Sequence, residues 1–210
     1  MLRFINHHKP LNIMKNIIFD VGNVIIKSDQ NITFSMLKDY GVPNNAARKF
    51  FDNYEYREFS RGNISARIFY DSLIQKHLGV HLKYEHIVDA HNKHLTGVIH
   101  KVVEMLSKLP REKLVFLTDT NEWQTTRERQ LIDLSHYSDI IFRSHEIHML
   151  KIDDGLFPYI IKKLNVKPEE IILIDDSIEK IEIAQKHGLR THQFIDPSQL
   201  ADYLISQDIL

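Results

Sequence analysis

The sequence predicts an α/β fold: a doubly wound parallel sheet with a small all-helical cap inserted after the first strand. Two observations support this. Segments 17–20, 114–118 and 171–176 each begin with a continuous apolar run, which is typical of buried parallel strands. Helical spacing of apolar residues separates the second and third segments, and such alternation favours a parallel sheet. Residues 31–95 show helical spacing without a strand of comparable strength.

The predicted core domain consists of residues 14–28 and 97–210, and residues 29–96 form the cap of about four helices. Residues 1–13 are expected to be an N-terminal extension, because Met14 comes directly before the first strand. That stretch is too polar for a signal peptide, and no apolar run approaches membrane-spanning length. We therefore expect a cytoplasmic protein.

After the cap, helices and strands are expected to alternate to the end of the chain. The predicted elements are a helix 98–106, strand 114–118, helix 122–135, strand 139–143, helix 156–164, strand 171–176, a helix that ends at Gly188, strand 191–194 and helix 198–206. Parallel strands with such crossovers have their carboxyl ends at one edge of the sheet.

Composition excludes several classes of function. Lys and Arg total 27 against 28 Asp and Glu, so no strong overall field attracts nucleic acid or anionic membranes. The absence of cysteine excludes disulfides, thiolate chemistry and zinc–cysteine sites. Neither a dinucleotide-binding fingerprint nor a Walker loop is present. We expect a small-molecule partner, with no nucleic-acid or membrane partner.

Polar residues close each strong strand. Asp20 ends the first strand, Thr118 the second, and Asp175 with Asp176 the third. These side chains should converge at the shared edge. A like-charged pair at about 4 Å costs roughly 4 kcal/mol in an effective dielectric near 20, so such carboxylates either take up protons or hold a cation. An all-oxygen site of this kind suits Mg²⁺.

These motifs, in this order, resemble those of the haloacid dehalogenase-like (HAD) phosphatases. The matching residues are Asp20 to Val24, Thr118, Lys151 and Asp175-Asp176. The chain is most similar to the bacterial subgroup that contains α-D-glucose-1-phosphate phosphatase. The further residues shared with that subgroup are Phe19, Thr120-Asn121 and Arg61-Gly62-Asn63-Ile64-Ser65. The resemblance spans about residues 15–205.

The resemblance implies a phosphatase acting on a small phosphorylated metabolite, such as a sugar phosphate. Asp20 would be the nucleophile and form an aspartyl-phosphate that water then hydrolyses. Thr118 and the backbone N–H of Asp119 would bind phosphate oxygens, and Lys151 would supply a fixed positive charge. Asn121 is a further candidate for binding the phosphate.

The implied metal is Mg²⁺. Its ligands would be Asp20, the backbone carbonyl of Gly22 and Asp176, with Asp175 beside them. Arg61, on the lid formed by the cap, is a candidate for contacting the substrate.

Position 22 departs from the family pattern, in which most phosphatases carry a second Asp as general acid and base. Gly22 retains the carbonyl but removes the acid, whose contribution is typically about 10²–10⁴-fold. This favours substrates with an acidic leaving group, such as a sugar 1-phosphate. It also leaves open a binding protein that has lost turnover. A dehalogenase with the same nucleophile is a further alternative, which the Asp175-Asp176 pair disfavours.

Two other features complete the predictions. Ile152 replaces the usual Pro after Lys151, and the following Asp153 and Asp154 are expected to face solvent at the start of a helix. Asp119 adds a negative charge where the subgroup has Asn. The histidines at 86, 91 and 94 are expected to lie on an exposed face of the cap rather than to bind zinc.

Overall fold

A computed structural model of the protein describes residues 14–210, so the expected extension 1–13 lies outside the described residues. The strands within that range are β1 (Asn16–Phe19), β2 (Ile26–Ser28), β3 (Leu95–Val98), β4 (Leu114–Thr118), β5 (Ile140–Arg143), β6 (Ile171–Asp175) and β7 (Arg190–Gln193). Strands β5, β4, β1, β6 and β7 form one parallel sheet in that order, which confirms the predicted fold class.

Helices lie between the strands, joined by turns and loops. They are α1 (Gln30–Asp39), α2 (Asn44–Ala47), α3 (Tyr54–Ser60), α4 (Ala66–Ser72), α5 (Tyr84–Asn92), α6 (His100–Leu106), α7 (Glu122–Leu131), α8 (Ser144–Ile147), α9 (Leu156–Leu164), α10 (Ile178–Lys186) and α11 (Pro197–Ser206). A π-helical turn, Leu73–Leu78, continues α4. In residues 14–210, no helix has both the length and the apolar character needed to cross a bilayer.

Strand β1 lies at the centre of the sheet. The chain adds β4 and β5 on one side of it and then β6 and β7 on the other, so the winding direction reverses around β1. The register aligns Phe19 with Phe116 and Ile174. Because these residues are level, the polar residues that follow them emerge at the same edge, the usual position of ligand sites in such sheets.

Apolar packing on both faces holds the sheet rigid. Ile17 and Phe19 of β1 point into one cluster, which α6 and α11 cover, while Ile18 points into the opposite cluster, covered by α9 and α10. This alternation follows from the two-residue period of a strand. All residues of β1, β4 and β6 are buried, which explains their continuous apolar runs.

The cap has a hydrophobic core of its own, built from α1–α5 and the π-helical turn, where the sequence predicted about four helices. Trp123 of α7 belongs to this cluster, and its indole N–H donates to the Tyr84 hydroxyl at 2.8 Å. The cap is therefore packed against the core domain through α7.

The segments that enter and leave the cap pair with each other. Strands β2 and β3 are antiparallel, with Ile26 opposite Val98. This corrects the prediction of a helix from residue 98, since β3 begins at residue 95 and α6 at His100. A strand of four residues is too short to show a period, and β3 depends on its pairing with β2.

The end of one further helix differs from the predicted one. The predicted helix 122–135 ends at Leu131, because Asp133 accepts the backbone N–H of Ser135 and starts a 3₁₀ turn at Leu134–His136. Helix α9 has the predicted bounds.

Candidate active site

A cavity of about 430 Å³ lies between the carboxyl edge of the sheet and the cap. Its lining from the core includes Asp20, Gly22, Asn23, Thr118, Asp119, Gln124, Asp176 and Lys180. Its lining from the cap includes Phe51, Tyr56, Ser60 and His94. The predicted convergence of strand ends therefore occurs, and it occurs beneath a lid.

Three carboxylates of this edge form a cluster that could hold a cation. Asp20, Asp175 and Asp176 each offer an oxygen within 4.8 Å of the others. In residues 14–210 they are the only such group of metal-competent side chains. Gly22 lines the cavity, so the donors available are all oxygens, which fits Mg²⁺.

The ammonium group of Lys151 bridges two of these carboxylates, those of Asp20 and Asp175. Its Nζ lies 2.7 Å from Oδ1 of Asp20 and 2.6 Å from Oδ2 of Asp175, and the side chain is fully buried. Burial opposes its charge, but the two carboxylates raise the pKa of Lys151 above its usual value. Burial raises the pKa of Asp20 to about 6; Lys151 opposes this shift and Asp175 reinforces it. Lys151 is thus a permanent cation at the nucleophile candidate.

Asn23 orients the metal-ligand candidate Asp176. Its Nδ2 donates to Oδ2 of Asp176 at 3.2 Å, and its Oδ1 accepts the backbone N–H of Ser28 at 3.0 Å. The residue has φ of +55°, a left-handed conformation that Asn tolerates better than most side chains. Its contact with Asp176 spans 153 positions of sequence, so the motif alone did not reveal this role.

A second ammonium group, which the sequence analysis did not identify, lies beside Lys151. Lys180 of α10 lines the cavity, and its Nζ is 3.4 Å from Oδ2 of Asp119. Burial opposes its charge, but Asp20, Asp119 and Asp175 raise the pKa of Lys180 above its usual value. The only sequence signal was its position four residues after Asp176, one helical turn from the strand end.

Asp119 does not act as an isolated negative charge. Its Oδ1 accepts the backbone N–H of Lys151 at 2.9 Å, and its Oδ2 is paired with Lys180. Thr118, one residue earlier, is buried and lines the cavity. Asp119 therefore helps to hold the segment that carries Lys151.

The family comparison agrees with this geometry. The family model for haloacid dehalogenase-like hydrolases matches residues 17–194, which include the strand-end motifs and the cap. The chain belongs to this family. The prediction of a HAD-type enzyme is therefore confirmed.

The chain is also similar to named phosphatases and to a solved structure. The chain is 25% identical to D-ribitol-5-phosphate phosphatase of Bacteroides thetaiotaomicron, over 90% of this chain and 95% of that protein. It is 27% identical over 82 residues to phosphorylated carbohydrates phosphatase of Thermotoga maritima, covering 39% of this chain and 38% of that protein. A HAD family enzyme from B. thetaiotaomicron, solved with magnesium and inorganic phosphate, is 25% identical, with a TM-score of 0.79 over 89% of this chain and 98% of that chain. The closer resemblance to glucose-1-phosphate phosphatases stays a prediction.

Two predicted substrate contacts are not supported by their positions in this hydrolase. Asn121 is buried, and its Oδ1 caps α7 by accepting the backbone N–H of Gln124 at 3.0 Å. Arg61 forms ion pairs with Glu58 and Asp153. Neither Asn121 nor Arg61 lines the cavity. Asn commonly caps helices and Arg commonly forms ion pairs, so the sequence alone does not separate a structural role from a substrate contact. The positions of the two residues after the cap has packed against the core domain make that distinction.

The expectation for Asp153 is also wrong. Its carboxylate does not face solvent freely but pairs with Arg61, because the cap brings the guanidinium onto the loop after Lys151. This pairing holds the pKa of Asp153 below its usual value.

The expectation of exposed histidines is wrong for two of the three. His91 and His94 are buried, and His91 Nε2 lies 3.3 Å from the Tyr56 hydroxyl. Burial lowers the pKa of His91 to about 3, so its ring is neutral at physiological pH. His94 lines the cavity, with its Nε2 3.4 Å from Nε2 of Gln124. Within residues 14–210, these histidines are not part of a three-residue metal cluster.

Proposed function

We propose that this enzyme is a Mg²⁺-dependent phosphatase that hydrolyses small phosphorylated carbohydrates through an aspartyl-phosphate on Asp20. The observation that carries the proposal is the position of Asp20, which lies against Lys151 in the cavity that Thr118 also lines. The two named phosphatase relatives support a phosphate-ester substrate. The relative solved with magnesium and phosphate supports the choice of metal.

The charge at the sheet edge suits a divalent cation. Four carboxylates but only two ammonium groups meet there: Asp20, Asp119, Asp175 and Asp176 against Lys151 and Lys180. We infer that Asp20, the carbonyl of Gly22 and Asp176 would hold Mg²⁺, with Asp175 beside them. When bound, the ion neutralises charge, which allows an anionic phosphate to approach a carboxylate.

The protein groups then support a two-step displacement. A carboxylate oxygen of Asp20 attacks phosphorus, the bond from phosphorus to the leaving oxygen breaks, and the leaving oxygen takes a proton from solvent water, since Gly22 supplies no acid. Water next attacks the aspartyl-phosphate and releases inorganic phosphate with the carboxylate regenerated. Lys151 and the Thr118 hydroxyl stabilise the phosphoryl oxygens in both steps.

The cap side of the cavity suits a hydroxylated leaving group. Tyr56, Ser60 and His94 present neutral donors and acceptors, and Phe51 presents an aromatic face. These neutral polar groups around an apolar surface can bind sugar or polyol hydroxyls, and the exposed Arg57, which also lines the cavity, adds one positive charge on this side. Since Gly22 provides no acid, turnover depends more on the acidity of the leaving hydroxyl.

The test is a panel of phosphate esters, including ribitol 5-phosphate, glucose 1-phosphate and glucose 6-phosphate, assayed with Mg²⁺ and with a chelator. We expect hydrolysis that requires Mg²⁺ and that falls by at least about 10³-fold in Asp20→Asn. Asp139→Asn, which changes an exposed carboxylate, is the matched control.

Activity that survives in Asp20→Asn would refute the aspartyl-phosphate. Release of halide from a 2-haloacid without metal would instead favour the dehalogenase alternative. A folded protein without turnover on any ester would favour the binding protein.

A further inference from the structure

The turn after α3 brings the cap backbone close to the core domain. The Ser144 hydroxyl donates to the backbone carbonyl of Ser60 at 2.6 Å. Gly62 has φ of +69°, and a Cβ there would lie 2.2 Å from the carbonyl oxygen of His145. A larger residue at position 62 would force the two backbones apart, so this turn depends on a close approach.

Arg61 lies between Ser60 and Gly62 in the sequence, and its side chain contacts Asp153 of the core domain. Its Nε donates to Oδ2 of Asp153 at 2.9 Å and its Nη2 donates to Oδ1 at 2.6 Å. Its Nη1 donates to Glu58 at 2.9 Å. The Arg61 and Asp153 side chains are only 20% and 27% exposed, so this paired, two-bond contact is stronger than a typical surface ion pair.

Asp153 in turn closes the backbone loop that carries Lys151. Its Oδ2 accepts the backbone N–H of Leu150 at 2.8 Å, and its own N–H donates to the Leu150 carbonyl at 2.9 Å. Lys151 lies inside this turn, and its N–H donates to Asp119. The ammonium that contacts Asp20 is therefore held through its backbone by two carboxylates, one of which is held by the cap.

We propose that Arg61 is a positioning residue: by holding Asp153, it couples docking of the cap to the placement of Lys151 beside Asp20. The inference rests on the proposed function for its effect on turnover. The juxtaposition that carries it is the chain of contacts from Arg61 through Asp153 and Leu150 to Lys151.

Two physical reasons make this coupling effective. Ile152 does not restrict the backbone as a proline would, so the loop needs an external constraint. A misplacement of about 1 Å at a catalytic group can cost about 10²-fold in rate. If the cap moves away from the core domain and the Arg61–Asp153 pair breaks, the loop that carries Lys151 should therefore become more mobile. Turnover should then fall.

The experiment compares Arg61→Ala and Arg61→Lys with Arg67→Ala in the full chain. Arg67 is a matched control, because it pairs with Asp71 in the same cap but is 72% exposed. Hydrogen exchange of the 148–156 segment is measured by mass spectrometry, and kcat and KM are measured with p-nitrophenyl phosphate. We expect Arg61→Ala to speed exchange of the Leu150 and Lys151 amides and to lower kcat about tenfold with little change in KM.

A second measurement tests the chain of contacts. Asp153→Asn still accepts from Leu150 but weakens the pair with Arg61, so adding Arg61→Ala to it should cost much less than Arg61→Ala alone. Arg61→Lys, which retains the charge, should have an intermediate effect and remains informative if Arg61→Ala does not fold.

Each outcome distinguishes the two proposals. Unchanged exchange at 148–156 in both Arg61 variants would overturn the coupling, whatever the activity. A raised KM for carbohydrate phosphates with unchanged kcat for p-nitrophenyl phosphate would also overturn it, since Arg61 would then contact substrate. Faster exchange at 148–156 in Arg61→Ala, together with a wild-type protein that hydrolyses no phosphate ester, would support the coupling and refute the phosphatase.

Discussion

The two walls of the cavity differ in kind. The core wall holds several charges, with Asp20 and Asp176 at strand ends and Lys180 on α10, whereas the cap wall has one charged side chain, Arg57, among neutral groups such as Tyr56 and His94. Under the proposed function, the core wall would contact the phosphate and treat phosphate monoesters alike. The cap wall would contact the group to which the phosphate is attached. Reaction type and substrate choice would then be separated in space.

The walls are also held by different forces. Core charges are buried and paired with each other, as in Asp20, Lys151 and Asp175. Cap groups are held by neutral hydrogen bonds, as between Tyr56 and His91. Loss of a partner from a buried ion pair costs several kcal/mol, whereas loss of a neutral hydrogen bond costs about 1 kcal/mol.

The largest effect is expected from Lys151→Met. It leaves Asp20 and Asp175 buried without their cation, which should lower the free energy of unfolding by about 3–5 kcal/mol at pH 7. The loss should shrink at lower pH, since protonation removes the repulsion between the carboxylates. Denaturant unfolding at pH 7 and at a lower pH measures this loss of stability. The exposed Lys162→Met variant is the control. Equal stability of the two variants would contradict the charged description of this wall.

The next effect concerns pH and the buried cap histidine. His91 has a pKa of about 3 in the folded protein, against about 6.5 in the unfolded chain, so only the unfolded state gains this proton between pH 7 and pH 5. Stability is therefore lost as pH falls through that window, by about 2 kcal/mol from this group.

His91→Gln should reduce the difference in unfolding free energy between pH 7 and pH 5 by that amount. His136→Gln, at an exposed position, should not. A His91→Gln variant with the wild-type pH dependence would show that His91 does not stay neutral in the folded cap.

A charge added to the core wall should change turnover. Gly22 has no atom within 4 Å of the position of an added Cβ, so an Asp fits there. Gly22→Asp should raise kcat/KM for ribitol 5-phosphate about tenfold relative to p-nitrophenyl phosphate, because the poorer leaving group gains most from an acid. Gly22→Asn provides the same shape without the proton. Identical kinetics of the two variants would argue against acid catalysis from this position.

The smallest effect is expected at the cap wall. Tyr56→Phe removes the hydroxyl of a residue that lines the cavity, a hydroxyl that lies 3.3 Å from His91 Nε2, which should cost about 1 kcal/mol. We expect a roughly fivefold higher KM for carbohydrate phosphates and an unchanged KM for p-nitrophenyl phosphate. Tyr54→Phe, on the exposed face of the same helix, is the control. An equal rise in KM for both substrates would remove the distinction between the walls.

The core wall was largely predictable from sequence. Apolar runs identified β1, β4 and β6, and the rule that parallel strands share one carboxyl edge brought Asp20, Asp175 and Asp176 together before any coordinates. A run of buried residues and the polar residue that ends it are local features, so a single sequence contains them. The same features identified the oxygen-rich site that suits Mg²⁺.

The rest depended on tertiary contacts. Arg61 meets Asp153 across 92 positions of sequence, and it became a link between cap and loop rather than a substrate contact. Lys180 lies on the core wall because α10 follows shortly after β6. His91 is buried because α7 packs on the cap, with the Trp123 ring against the His91 ring. The local sequence around Arg61, Lys180 and His91 does not indicate these roles. Their environment is set by which surfaces pack together, and that is a property of the folded chain alone.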